Sequence, residues 1–208
     1  MPRLKRLNPP HVQRLLRQIA IEKPYEKEGR KPTASTRALR TIGRMFIERF
    51  PTRVVNTIGI RLNGDVYESP IGIHLTVGGP TMPVLRASAK IGFDCGAVII
   101  EGIQGVSESG NELKQATERL GKPWPNYLLE MVEENARACG FHQVRIRRPE
   151  TLYWVQQPVQ YNIKSRENEK ITNEAEKRAL QKQIIGFYAI IAKKMKYKKQ
   201  GDYYVKEL

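Results

Sequence analysis

Apolar and polar residues alternate through the middle of the chain. Ile58, Ile60 and Leu62 are interleaved with Gly59 and Arg61, and Ile71, Ile73, Leu75 and Val77 with Gly72, His74 and Thr76. Period two gives each segment one apolar face and predicts half-buried strands. Asn63-Gly64 between them is a two-residue hairpin signal, with Val66 and Tyr67 starting the return strand. Gly78-Gly79-Pro80 breaks the second strand. Residues 84–93 fit strand or helix. Strand is preferred, because Asp94-Cys95-Gly96 reads as a turn into Ala97–Ile103, whose apolar run suits a central strand.

The ends of the chain follow a helical period instead. Asn8-Pro9-Pro10 starts a helix with Val12, Leu15, Leu16 and Ile19 on one side. After a polar linker over 23–34, a second helix begins near Ser35. Ala38, Ile42, Met45, Phe46 and Phe50 form its stripe, and Pro51 stops it. Downstream, a short helix is predicted over Glu112–Leu120, with Gly121 as its cap. Pro123-Trp124-Pro125 reads as a rigid break before a helix over Asn126–Cys139, in which Leu128, Leu129, Val132 and Ala136 point inward. Gln143–Arg147 alternates as a strand. Residues 148–171 read as irregular, with Leu152–Val155 fitting a short edge strand. Asn173 and Glu176 have capping-box spacing. Behind them Ala175, Ala179, Leu180, Ile184, Phe187, Tyr188, Ile191 and Met195 form a continuous stripe, and Gly201-Asp202 turns the chain into a last strand.

These elements amount to an α+β fold. It has a mixed, mostly antiparallel central sheet with flanking helices, and two further helices at the N-terminus. The expected division is a basic helical extension over 1–53 and an α+β domain over 54–208. A length of 208 residues suits that organisation.

Charge sharpens the division. Residues 1–53 carry 14 basic and 4 acidic side chains, 54–140 carry 7 and 10, and 141–208 carry 15 and 7, within a net charge of +15. Two basic ends around a slightly acidic middle suit either a polyanion partner, nucleic acid first, or merely solvated helix faces. The residues of the first reading are Arg37, Arg40 and Arg44 on the second helix, Arg145, Arg147 and Arg148 at a strand end, and Lys193 and Lys194 with Lys196, Lys198 and Lys199. Tyr153, Trp154 and Tyr161 either stack on exposed bases or cover a sheet edge. Two cysteines and three histidines, scattered along the chain, make neither a disulfide framework nor a structural metal site, so no metal is expected. No apolar run is long enough to span a bilayer, and no apolar segment follows the basic start. A cytoplasmic protein with no membrane partner is expected.

Three pieces resemble the core of the GNAT superfamily of N-acetyltransferases. They are the strand Val98–Ile103 leading to the helix Asn126–Cys139, the strand Gln143–Arg147, and the closing run from Phe187 through Tyr197 into Tyr203-Tyr204-Val205. Ile103-Gln104-Gly105, the run from Leu120 to Leu129 and Ala138-Cys139-Gly140 are also similar to the VirK/YbjX-type bacterial family, itself thought to be GNAT-like. The resemblance implies that Ala97–Ile103 and Gln143–Arg147 are neighbouring parallel strands. It further implies an acyl-CoA cofactor (acetyl-CoA or another) and transfer of its acyl group to an amine. The cofactor would lie against Ile103, Gln104, Gly105, Ser107, Ser109 and Gly110, where backbone amides before a helix cradle the pyrophosphate. Ser107 and Ser109 stand where the family motif has Gly and a second small residue. Glu101, a charge inside an apolar strand, is either the general base or a carboxylate facing solvent or an arginine. Tyr188 is either a general acid or a member of the core stripe. His74, on the polar side of its strand, reads as solvated, and Cys139 as a small buried residue. The competing reading is a non-catalytic GNAT-like protein that holds nucleic acid through its basic ends.

Overall fold

The computed structural model describes residues 42, 43, 46, 53–55, 58–66, 69–77, 84–94, 96–105, 110–156, 159–162, 167–170 and 173–208. The first predicted helix, and all of the second except Ile42, Gly43 and Phe46, lie outside them. The chain divides into two compact units, residues 1–145 with 207–208, and Ile146–Lys206.

The first unit is built on six strands in the order β1 (Arg53–Val55), β2 (Ile58–Val66), β3 (Ser69–Val77), β4 (Val84–Asp94), β5 (Ala97–Gly105) and β6 (Gln143–Arg147). The first four pairings, from β1 to β5, are antiparallel. β6 lies beside β5, and the His142 N–H donates to the Gly96 carbonyl at 3.0 Å. The starts of the two strands therefore meet at one end and they run parallel. An α+β fold with a mixed, mostly antiparallel sheet results. The crossover between β5 and β6 holds two helices, α1 (Gly110–Leu120) and α2 (Trp124–Ala138).

Asn63-Gly64 does not turn the first hairpin. Ile60 pairs with Leu75, Leu62 with Ile73 and Gly64 with Ile71, and the ladder runs on to Val66 opposite Ser69. Because side chains alternate with period two, register is set by which residues must share the buried face. The ladder with β3, whose Ile73 and Leu75 are buried, outweighs the local turn signal. α2 also begins earlier than expected: Trp124 and Pro125 form its first turn, where a missing proline N–H costs nothing. Gly121, at φ +67°, ends α1 as predicted.

The two faces of this sheet differ. Ile71, Ile73, Leu75, Ala87, Ala89, Ile91, Phe93, Val98, Ile100 and Ile103 are buried on one face. Helical Phe46, 1% exposed, packs edge-on to Phe93 and Phe141, with ring centroids 5.4 and 6.5 Å away. Asn135 of α2, 3% exposed, donates from Nδ2 to the Phe46 carbonyl at 2.9 Å. Residues assigned by sequence to the basic extension thus help to build the core. Leu128, Leu129, Val132 and Ala136 are buried as expected, together with Met131 and Cys139. Each large apolar side chain so buried contributes about 1.5–3 kcal/mol.

In the second unit, a 3-10 turn (Pro149–Thr151) leads to a one-turn helix, α3 (Tyr153–Gln156), where an edge strand was predicted. The turn begins at Pro149, whose fixed φ suits a helical start, and the Val155 and Gln156 amides donate back to the Leu152 carbonyl. A hairpin of β7 (Val159–Asn162) and β8 (Glu167–Lys170) follows, in a region read as irregular. Helix α4 (Glu174–Lys194) is capped as predicted, the Asn173 side chain accepting from the Ala175 amide at 2.9 Å. Its stripe is buried only toward the C-terminus, at Tyr188, Ile191 and Ala192, with Met195 just beyond. The β9 (Lys198–Gln200) and β10 (Tyr203–Glu207) hairpin closes the unit.

Candidate functional site

The second face of the six-stranded sheet carries the polar residues. Register sets them in rows: His74 opposite Ser88, and Ser88 opposite Gln104; Gly72 opposite Lys90, and Lys90 opposite Gly102. Arg61 on β2 continues the first row beyond His74. His74, Ser88 and Lys90 are half-buried, and Gln104 is exposed. Burial holds the His74 imidazole below the ordinary histidine value, because the charged form is the costlier to desolvate. His74 is therefore half-buried rather than solvated.

Glu101 belongs to the same face through an irregularity. Lys90 pairs with Gly102 but Ile91 with Ile100, so Glu101 is the extra residue of a β-bulge. Its carboxylate lies over Gly92, where a Cβ would stand 3.3 Å from Oε1. Arg86 is likewise the extra residue where Leu75 pairs with Ala87 and Thr76 with Leu85. Its guanidinium reaches Glu112 in the first turn of α1 at 3.2 Å.

The end of β5 is the second part of the site. Ile103 is buried in the apolar face, whereas Gln104 and Gly105 are exposed. A Cβ on Gly105 would come 2.8 Å from Leu113 Cδ1 and 3.9 Å from Trp124, so glycine there lets α1 settle directly onto the strand end. Thr117 ties the two helices, donating to the Leu113 carbonyl at 2.9 Å and accepting from the Trp124 N–H at 3.3 Å. α1, not α2, is thus the helix that follows the strand. Gly110 opens it, exposed, with nothing within 4 Å of where a Cβ would stand. Ser107 and Ser109 lie outside the described residues, as do Arg37, Arg40 and Arg44.

The predicted arginine cluster is divided among inward contacts. Arg145 donates to Asp94 at 3.1 Å and, through Nε and Nη2, to the Gln143 side-chain oxygen. Arg147 lies over the Tyr203 ring, 5.4 Å from its centroid. Arg148 pairs with Glu150 at 2.8 Å and donates to the Gly201 carbonyl. Lys193 and Lys194, by contrast, are exposed in the last turn of α4, as are Lys196, Lys198 and Lys199 after it. Ile190, one turn earlier, is 59% exposed. Tyr188, 2% exposed, is buried in the second unit.

Sequence reasoning missed the His74–Ser88–Gln104 row and the bulge. The alternation of β3 could have placed His74 between Gly72 and Thr76, but no pattern gives cross-strand register. Among the described residues, no three His, Cys, Asp or Glu side chains are grouped to hold a metal ion, and no helix is long and apolar enough to cross a membrane. Compared with known protein families and with curated proteins, the chain matches none.

Proposed function

We propose that the chain is a cytoplasmic GNAT-like acyltransferase that moves an acyl group from acyl-CoA to an amine. The observation that carries the reading is the order of the elements: β5 ends in exposed Gln104-Gly105, α1 is the next element along the chain, and after α2 the chain returns as a parallel neighbour of β5. The first-turn amides of α1 offer hydrogen bonds and the positive end of the helix dipole to a phosphate. Space is open at Gly110, and Arg86 offsets the negative charge of Glu112 in the same turn. Gln104, Gly105, Gly110 and the Ser107 and Ser109 backbone are the residues that would hold acetyl-CoA or another acyl-CoA. When bound, the thioester supplies the activated acyl group. The protein supplies orientation and a proton acceptor, for which the polar face offers Glu101 and His74. Tyr188 enters this reading by resemblance alone. The test is titration of acetyl-CoA into the full chain by calorimetry. Saturable heat at or below millimolar ligand is expected, and none at that concentration removes the reading.

One observation favours a second reading, a nucleic-acid surface. Five lysines from Lys193 to Lys199 are exposed together, whereas Arg145 and Arg148 are engaged with Asp94 and Glu150. Single-stranded and duplex DNA would be bound at two salt concentrations. The log of the affinity is expected to fall by about 0.7–0.9 per phosphate neutralised for each decade of salt. Absence of binding at low salt disposes of this reading.

A further inference from the structure

Helix α4 is held on one side by Tyr188, Ile191 and Ala192, which are buried. At about 100° of turn per residue, its exposed residues span an arc of about 200°, more than half of the circumference. The charge on this arc has one sign. Glu174 and Glu176 lie in the first turn, and after them no Asp or Glu occurs until Asp202. Arg178, Lys182, Lys193 and Lys194 are exposed on the helix, and Lys196, Lys198 and Lys199 are exposed just beyond it. Such a face complements a polyanion.

Between the cations the arc is shallow. Ala179 and Gly186 lie near its middle, and nothing comes within 4 Å of where a Cβ on Gly186 would stand. Ile190, beside them, is 59% exposed. Phosphate contact alone would use the lysines and leave Ile190 without an apolar partner. A DNA major groove uses both, because phosphates line its walls and its floor presents base edges that include the thymine methyl. That groove is about 12 Å wide and admits a helix, which is about 10–12 Å across with its side chains.

We infer that α4 enters the major groove of duplex DNA by this arc. The inference rests on the nucleic-acid reading and deepens it by naming the partner. From Arg178 to Lys194 the helix runs about 24 Å. Arg178 and Lys182 toward one end, and Lys193 and Lys194 at the other, meet phosphates, while Gly186 and Ile190 between them face the floor. The first turn, with its two carboxylates, stays outside the groove. An A-form RNA duplex has a deep, narrow major groove that side chains cannot read, and a single strand has no groove. The arc therefore selects duplex DNA over both.

The test measures binding of the full chain, by fluorescence anisotropy at low and moderate salt, to three labelled probes: a DNA duplex of mixed sequence, the RNA duplex of the same sequence, and one DNA strand alone. The DNA duplex is expected to bind roughly tenfold tighter than the other two. Gly186→Leu fills the middle of the arc, and because leucine is the better helix former, α4 stays folded, as circular dichroism would verify. It is expected to weaken the DNA duplex roughly tenfold by a clash with the groove floor and to leave the single strand unchanged. Lys193→Gln is expected to weaken all three probes and to lower the salt slope by about one. Equal binding of the three probes, no effect of Gly186→Leu on the DNA duplex, or an unchanged slope in Lys193→Gln overturns the inference and leaves the nucleic-acid reading standing. Absence of binding to every probe at low salt removes both.

Discussion

The Glu101 carboxylate occupies the space that a side chain on Gly92 would need: a Cβ there would stand 3.3 Å from Oε1 and 3.7 Å from Cγ. The bulge at Glu101 and the glycine across from it are one arrangement. Gly92→Ala should push the carboxylate aside at a cost of about 1 kcal/mol, typical of mild overpacking. The cost should shrink when Glu101→Ala is made in the same chain. Urea unfolding of the two single variants and the double variant gives the coupling between them, and a coupling near zero refutes the contact.

Gly105 makes the stronger demand, because its missing Cβ would lie 2.8 Å from Leu113 Cδ1. Gly105→Ala should destabilise the first unit by about 1–3 kcal/mol, and Leu113→Ala should recover part of that loss. Circular dichroism during thermal unfolding would show it. If Gly105→Ala leaves the midpoint unmoved, α1 does not rest on the end of β5.

Phe46 and Asn135 give a test of how far the core extends. Phe46→Ala removes a ring packed against Phe93 and Phe141 and should cost about 3–5 kcal/mol. Asn135→Ala removes the side-chain donor to the Phe46 carbonyl and should cost about 1–3 kcal/mol. If Phe46→Ala unfolds at the wild-type urea midpoint, the Phe46 ring contributes nothing to that unit.

Stability should also depend on acid through Glu150. Burial by itself would raise its pKa, but the hydrogen bond from Arg148 and the charges of Arg148 and Lys199 outweigh burial and hold the carboxyl below its ordinary value of 4.5. A carboxylate with a depressed folded value stabilises above 4.5, and that contribution is lost as pH falls through the folded value. Glu150→Gln should therefore be less stable than wild type at neutral pH, with the gap closing in acid. Unfolding midpoints at a series of pH values measure it, and a gap independent of pH contradicts the ion pair.

Much of the fold could be read from the chain because burial imposes periods. Ile71, Ile73 and Leu75 announced a strand, the Asn173 cap announced α4, and Leu128, Leu129 and Val132 announced the inner side of α2. The failures share a cause. Asn63-Gly64 is a strong local turn signal that lost to the pairing of Ile60 and Leu62 with Leu75 and Ile73. Leu152–Val155 is short and apolar enough to fit either a strand or a turn of helix. The candidate site was only partly legible: Gln104 and Glu101 could be singled out by type and position, but neighbours such as Ser88, Gly92 and Arg86 are set by register and bulges, which leave no mark in one sequence. The arginines at 145–148 looked like a surface because charge shows in a sequence and its partners, Asp94 and Glu150, do not.

The parallel seam between β5 and β6 bears on how the chain reaches its final form. β1 to β4 each pair with the next strand across a short connection, but β6 reaches β5 only after residues 106–142 have been placed. Longer loops cost more entropy to close, so the meander is expected to pair before the seam does. Until then the outer amides and carbonyls of β5 are an open strand edge, a template for pairing with other chains. Aggregation during synthesis or refolding should start at Ala97–Gly105, and variants that weaken α1 or α2 should aggregate before they lose secondary structure.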